Sequence, residues 1–167
     1  MNPEYVILVD ERDNDIGVME KMQAHLEGRL HRAFSVFVFN TQNELLLQQR
    51  ADGKYHSGGL WANTCCSHPR PHETIKDAAH RRLFEEMGFD CELSVKTSFT
   101  YRSSFGNGLT EHEFDYVLTG HFDGQPRISP EEVKSFRWIT LADLKDDVAR
   151  HPEQYTTWLR IALEKAF

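Results

Sequence analysis

Short apolar or alternating runs along the chain predict strands, and one long stretch with helical spacing stands among them. Residues 5–9 form an apolar run, 10–15 a polar turn, and 16–20 a possible returning strand. Residues 19–26 fit neither period. Residues 31–40 are rich in Phe and Val with no polar face, which predicts a strand buried on both sides. A turn at 40–44 leads into 45–50, making a hairpin. Residues 51–60 form a Gly-containing loop, and 61–66 look extended. Prolines and a Ser-His-Pro step then keep 63–72 irregular.

Residues 73–88 read as one amphipathic helix closed by Gly88. At about 100° per residue, Ile75, Ala78, Ala79 and Leu83 share its inward face. Arg82 and Glu86 fall in the middle of that face, while Arg81 and Glu85 point away. Strands follow at 91–101, 110–121 and 135–139, with a loop at 102–109. Thr140 can cap a helix over 141–149, His151-Pro152 breaks it, and 153–166 form a last helix with Tyr155, Leu159 and Ala162 near one face. This order predicts an α/β or α+β fold, one mixed β-sheet sandwiched by helices, in a single domain over residues 1–167.

Composition narrows the function. A net charge of −7 argues against nucleic acid, which needs a basic face. No apolar run is long enough to span a membrane, and residues 1–6 lack the basic start of a secretion signal. Three cysteines, two of them adjacent, do not suggest a disulfide framework. The expected setting is cytoplasmic.

The chemistry gathers in a few places. Two thiols and two imidazoles crowd into residues 63–72. On the helix, a buried charge is costly unless paired or bound to something ionic. Arg82 and Glu86 either pair with each other or serve a site beneath the helix. Alternation puts Glu111 and Glu113 on one face of a strand, where two carboxylates repel unless a cation or proton lies between them; a solvated face is the plainer alternative. His25, His31 and His68 would add three imidazoles and make an N₃O₂ set for a divalent metal. A structural zinc knuckle at Cys65, Cys66 and His68 is a poor match to paired-ligand spacing. Lys21, Arg50, Lys54 and Arg82 are separately unremarkable cations that together could cage a diphosphate. Tyr101 and Trp158 default to core packing.

In order, the chain carries Glu20-Lys21-x-x-x-His25, Arg29-Leu30-His31, Gln49-Arg50-Ala51-x-x-Lys54, Asn63-x-x-Cys66-x-His68-Pro69, Arg81-Arg82-x-x-x-Glu86-x-Gly88, Tyr101, Glu111-x-Glu113 and Trp158. This series resembles type I isopentenyl-diphosphate Δ-isomerase, a family built on the Nudix fold, over nearly the whole chain. Against the Nudix box, G-x5-E-x7-R-E-U-x-E-E-x-G-U with U bulky and aliphatic, the chain supplies Glu73, Arg81, Leu83, Glu85, Glu86 and Gly88 in register. It departs at Ser67 for the first Gly, at Phe89 for the last U, and at Arg82 where the box has a metal-binding Glu. An arginine there repels metal and attracts phosphate, favouring an intact diphosphate.

The resemblance implies interconversion of isopentenyl and dimethylallyl diphosphate in isoprenoid biosynthesis, through a tertiary carbocation. It implies Cys66 and Glu113 as the proton-transferring pair, with Tyr101 helping Glu113. One divalent metal (Mn²⁺, Zn²⁺ or Mg²⁺) would sit on His25, His31, His68, Glu111 and Glu113. A Mg²⁺ on Glu86 would bridge to the diphosphate. Lys21, Arg50, Lys54 and Arg82 would clamp the diphosphate, and Trp158 would face the cation. No flavin is expected. The small-molecule substrate is the expected partner, without nucleic acid or membrane, for a monomer or weak homodimer. The rival readings are a Nudix hydrolase of a nucleoside diphosphate derivative and a noncatalytic metal-binding domain.

Overall fold

The structure is a computed structural model, and it describes residues 3–167. Its centre is β3 (His31–Phe39), which runs parallel to β8 (Thr110–His121) from His31↔Glu113 to Phe39↔His121. β8 pairs in turn with β7 (Leu93–Ser104), antiparallel. On the other side, β1 (Tyr5–Val9) and β2 (Asp15–Glu20) form a hairpin that meets β3 at Leu8↔His31. α1 (Lys21–Glu27) follows without a break and settles the ambiguous stretch as helix. Glu20 caps it by accepting from the Gln23 amide, and Gly28 ends it in the left-handed region.

The hairpin of β3 with β4 (Glu44–Arg50) pairs only at Phe39↔Leu45 and then opens. β4 leaves to pair along its length with β9 (Val133–Thr140), and also meets β5 (Trp61–Ala62). The short β6 (Cys65–Ser67) enters the gap and pairs with β3 at Phe34, Ser35 and Val36. Asn63 and Thr64 fill the fork. The Thr64 hydroxyl accepts from the Val38 amide at 2.9 Å and donates to the Leu46 carbonyl at 2.7 Å. Asn63 donates to the carbonyls of Val36 and Cys65. Backbone groups exposed by the opening strands are thus satisfied by two side chains, as burial demands.

Apolar residues of β3 face two ways. Phe34, Val36 and Val38 pack beneath α2 (Ile75–Met87) with Leu83 and Met87. Phe37 packs on the opposite side with Leu45, Leu47 and residues of α3 (Leu141–Arg150) and α4 (Thr157–Ala166). Helices therefore cover both faces, and the strand expected to be buried on both sides is so.

Three boundaries differ from the sequence reading. α2 starts at Ile75, because Thr74 caps the Asp77 amide and leaves Glu73 outside to pair with Arg81 at 2.8 Å. β7 runs on to Ser104 through its pairing with β8. The last helix is shorter: Pro152–Gln154 make a 3₁₀ turn, and Thr156 caps a new start. Tyr155, expected on the helix, is extended and buried, bridged to Trp61 with its hydroxyl on Arg137. At Gly88 (φ 71°) a Cβ would lie 2.4 Å from the Arg127 carbonyl oxygen, so the helix can end there only on glycine.

Candidate active site and metal centre

The fork that admits β6 also decides which thiol reaches the site. Successive residues of a strand face opposite ways. Cys65 points into the core beneath α2, with its Sγ 3.7 Å from Glu86 Oε2. Cys66 lines a partly open cleft together with Arg50, Arg82, Glu111, Glu113 and Trp158. β8 brings Glu113 to the same cleft from the other edge of β3. Cys66 and Glu113 therefore enter from strands on opposed edges of one central strand. Burial pushes the Cys66 thiol up, although Arg50 works against it.

Alternation along β8 buries Glu111, Glu113 and Asp115 on one side. Burial and the Glu111 charge oppose ionisation of Glu113, but the His31 and His68 rings beside it hold its carboxyl below the usual range. Glu111 is held well below, against burial, by His25, His56 and Tyr101. Asp115 goes the other way, raised well above the usual range by burial and by Glu113, and accepts from the Ser35 hydroxyl at 2.9 Å. The Tyr101 hydroxyl touches both Glu111 and Glu113. Burial first, then those two charges, push that phenol well above its usual value.

Around these acids stand four imidazoles. His31 Nε2 and His68 Nε2 lie 3.4 and 2.8 Å from Glu113 Oε2. His25 Nε2 and His56 Nε2 lie 3.5 and 2.6 Å from Glu111 Oε2. His25 Nδ1 is 2.7 Å from the Lys21 carbonyl oxygen and His31 Nδ1 is 2.9 Å from that of Arg29. A carbonyl only accepts, so both Nδ1 atoms carry the proton and both Nε2 atoms present a lone pair. The Nε2 atoms of His25, His31 and His56, and Glu111 Oε2, are buried without a hydrogen-bond partner. Burial lowers His68 to about 4, keeping it neutral. Buried lone pairs aimed at one another are what a divalent cation would join, and this donor set fits one. The ligand atoms fall into two groups sharing His25: one with His31, His68 and Glu113, the other with His56 and Glu111, each within 4.8 Å.

The cations converge at the cleft as well. Lys21 is held by Glu4 at 2.9 Å and sits over the Tyr55 ring. Lys54 is held by Glu132 at 2.5 Å. Arg82 reaches Glu132 at 3.4 Å from the opposite side. Arg50 is buried, donates to the His56 carbonyl, and lies 5.1 Å from the Trp158 ring. Glu86 of α2 is buried. It stands in neither metal group. Its Oε2 accepts from Arg82 at 2.8 Å and its Oε1 from Gln48 at 2.9 Å. The pairing alternative for Arg82 and Glu86 is the arrangement seen.

His56, Tyr55, Glu4 and Glu132 were not singled out in the sequence, although all line the cleft. His56 lies in a loop between Gly53 and Gly58 with no ligand spacing to mark it.

Residues 29–159 match the NUDIX domain model. A solved structure from Deinococcus radiodurans superposes with a TM-score of 0.83, covering 98% of this chain and 99% of that one at 22% identity, a likeness of fold. Isopentenyl-diphosphate Delta-isomerase 2 of Aromatoleum aromaticum is 56% identical over 162 residues, covering 97% of this chain and 86% of that protein. The isopentenyl-diphosphate Delta-isomerase of Pectobacterium atrosepticum is 50% identical over 160 residues, covering 96% and 89%. The chain belongs to the isopentenyl-diphosphate Delta-isomerase family.

In this member of the family the Nudix box is rewired by arginine. Arg81 takes Glu73 and Glu85, and Arg82 takes Glu85, Glu86 and Glu132. The carboxylates of the box are answered by guanidinium groups, and the metal-fitting donors lie on α1, β3 and β8, beside β6 and in the loop after β4.

Proposed function

We propose that the chain interconverts isopentenyl and dimethylallyl diphosphate by adding a proton at one carbon and removing one two carbons away. The observation that carries this is Arg82 in place of the metal-binding Glu of the Nudix box, lining the same cleft as Cys66 and Glu113. An arginine grips a diphosphate through paired N–H donors and does not assist its cleavage.

Lys21, Arg50, Lys54 and Arg82 anchor the diphosphate at the mouth and bring the hydrocarbon between Cys66 and Glu113. One of the two delivers a proton to the terminal carbon of the double bond, leaving a tertiary cation, and the other takes a proton from the carbon nearer the diphosphate. Their roles exchange in the reverse direction. Tyr101 holds Glu113 in line. The Trp158 face, with its indole buried beside the cleft, stabilises the cation by roughly 1–2 kcal/mol. His25, His31, His68, Glu111 and Glu113 would hold the divalent cation, and the imidazole-rich set would favour zinc over magnesium. When bound, the ion supplies fixed positive charge that keeps the two carboxylates together and tunes the acidity of Glu113.

Incubation with isopentenyl diphosphate in D₂O tests the reading. Deuterium should enter the allylic product with the diphosphate intact. Released phosphate would support a hydrolase instead, and no turnover of isopentenyl diphosphate or a nucleoside diphosphate derivative would point to a noncatalytic domain.

A further inference from the structure

We infer that His56 is a fourth imidazole ligand of the divalent cation, bound from the Glu111 side of the cluster. This rests on the metal centre proposed above and adds a donor to it.

The ring is buried, 5% exposed, and fixed on several sides. It stacks on Phe105 at 4.4 Å with the planes 9° apart, and meets Tyr55 and Trp158 edge-on. Arg50 anchors the backbone by donating to the His56 carbonyl at 3.1 Å. His56 Nδ1 lies 3.1 Å from the Ser57 hydroxyl, which can accept its proton. When the Ser57 hydroxyl accepts a hydrogen bond from Nδ1–H, Nε2 keeps a lone pair, the state that the Lys21 and Arg29 carbonyls impose on His25 and His31.

The Nε2 atom decides between two roles. It lies 2.6 Å from Glu111 Oε2. At that separation an N–H aimed at the carboxylate would form a hydrogen bond, and the imidazole would merely position Glu111. Yet neither atom has a hydrogen-bond partner, and both are buried. The two atoms converge side by side, with His25 Nε2 3.5 Å from the same oxygen. This is the disposition of donors around a shared ion. His56, His25 and Glu111 also form one of the two groups whose ligand atoms lie within 4.8 Å. His56 adds a fourth imidazole to two donor groups that meet at His25, which makes the centre less suited to magnesium.

Affinity alone does not separate a ligand from a group that orients one, since losing either weakens binding about 10–100-fold. Counting coordinated rings does. Protein labelled with ¹⁵N-histidine is compared by long-range ¹H–¹⁵N spectra without metal and with one equivalent of Zn²⁺. Four imidazoles should move to metal-bound positions in the wild-type protein and three in His56→Gln. Three moving in the wild-type protein, or four in both, would overturn the inference and leave the parent site standing. None moving would overturn both. Should the variant fail to fold, assignment of the His56 ring signal in the wild-type protein decides: it moves with metal if the inference holds and stays if it does not.

Discussion

The inner end of the cleft and its rim are both crowded with charge, but they are prepared differently. At the inner end, the Nε2 atoms of His25, His31 and His56 and one oxygen of Glu111 are buried with no hydrogen-bond partner. At the rim every lysine is already answered: Lys21 by Glu4 and Lys54 by Glu132, with Arg82 drawn to Glu86 and Glu132. Buried unsatisfied groups cost about 1–3 kcal/mol each, and lone pairs gathered in this way could hold a metal ion. At the rim the lysines are paired without a ligand, while Arg50 Nε and Arg82 Nε are buried with no hydrogen-bond partner and face the same cleft. One end gathers lone pairs and the other gathers N–H donors.

The largest test separates the thiols that face these regions. Cys66→Ala should lower turnover of isopentenyl diphosphate about 10³-fold, or about 4 kcal/mol, while Cys65→Ala keeps most of it. Equal activity in the two variants would break the assignment of the cleft. At the rim, Arg82→Gln should raise KM for isopentenyl diphosphate about 10–100-fold, the worth of a charge-assisted hydrogen bond, with a smaller change in kcat. An unchanged KM would remove Arg82 from the clamp.

A pH series on metal-free protein sharpens the contrast next. Burial holds His68 near 4 in the folded chain against 6.5 for the free group. The unfolded chain gains that proton first as pH falls, so stability present above 6.5 is lost as pH drops towards 4. The melting temperature should fall by several degrees over that window, and His68→Gln should flatten the slope. A slope of equal size in the variant would place the effect elsewhere. The smallest effect also belongs to the rim. Glu132→Gln frees Lys54 and Arg82 and should lower KM about 2–5-fold, in line with partly exposed ion pairs. A higher KM would make Glu132 part of the binding surface.

Much of the site was legible because strand and helix periods are local. Alternation fixed Glu111 and Glu113 on one face, and the helical wheel put Arg82 and Glu86 inward. The adjacent cysteines had to face opposite ways on any strand. His56 was not legible. Its loop lacks a period, and a histidine between two glycines reads like any surface residue until Phe105 and Trp158 close over it. Tyr155 went astray for a related reason: a turn at Pro152–Gln154 interrupts the helix the apolar spacing suggested.

The amino-acid order alone set the strands, the capped helix ending at Gly88, the exchange of a box glutamate for Arg82, and the family pattern. Those follow from neighbours a few residues apart. Three things needed the folded chain: the fork between β3 and β4 that seats Cys66, the engagement of both Glu86 oxygens, and the meeting of His56 with Glu111, 55 positions away. Each depends on which distant segments share a space, and no local period carries that information.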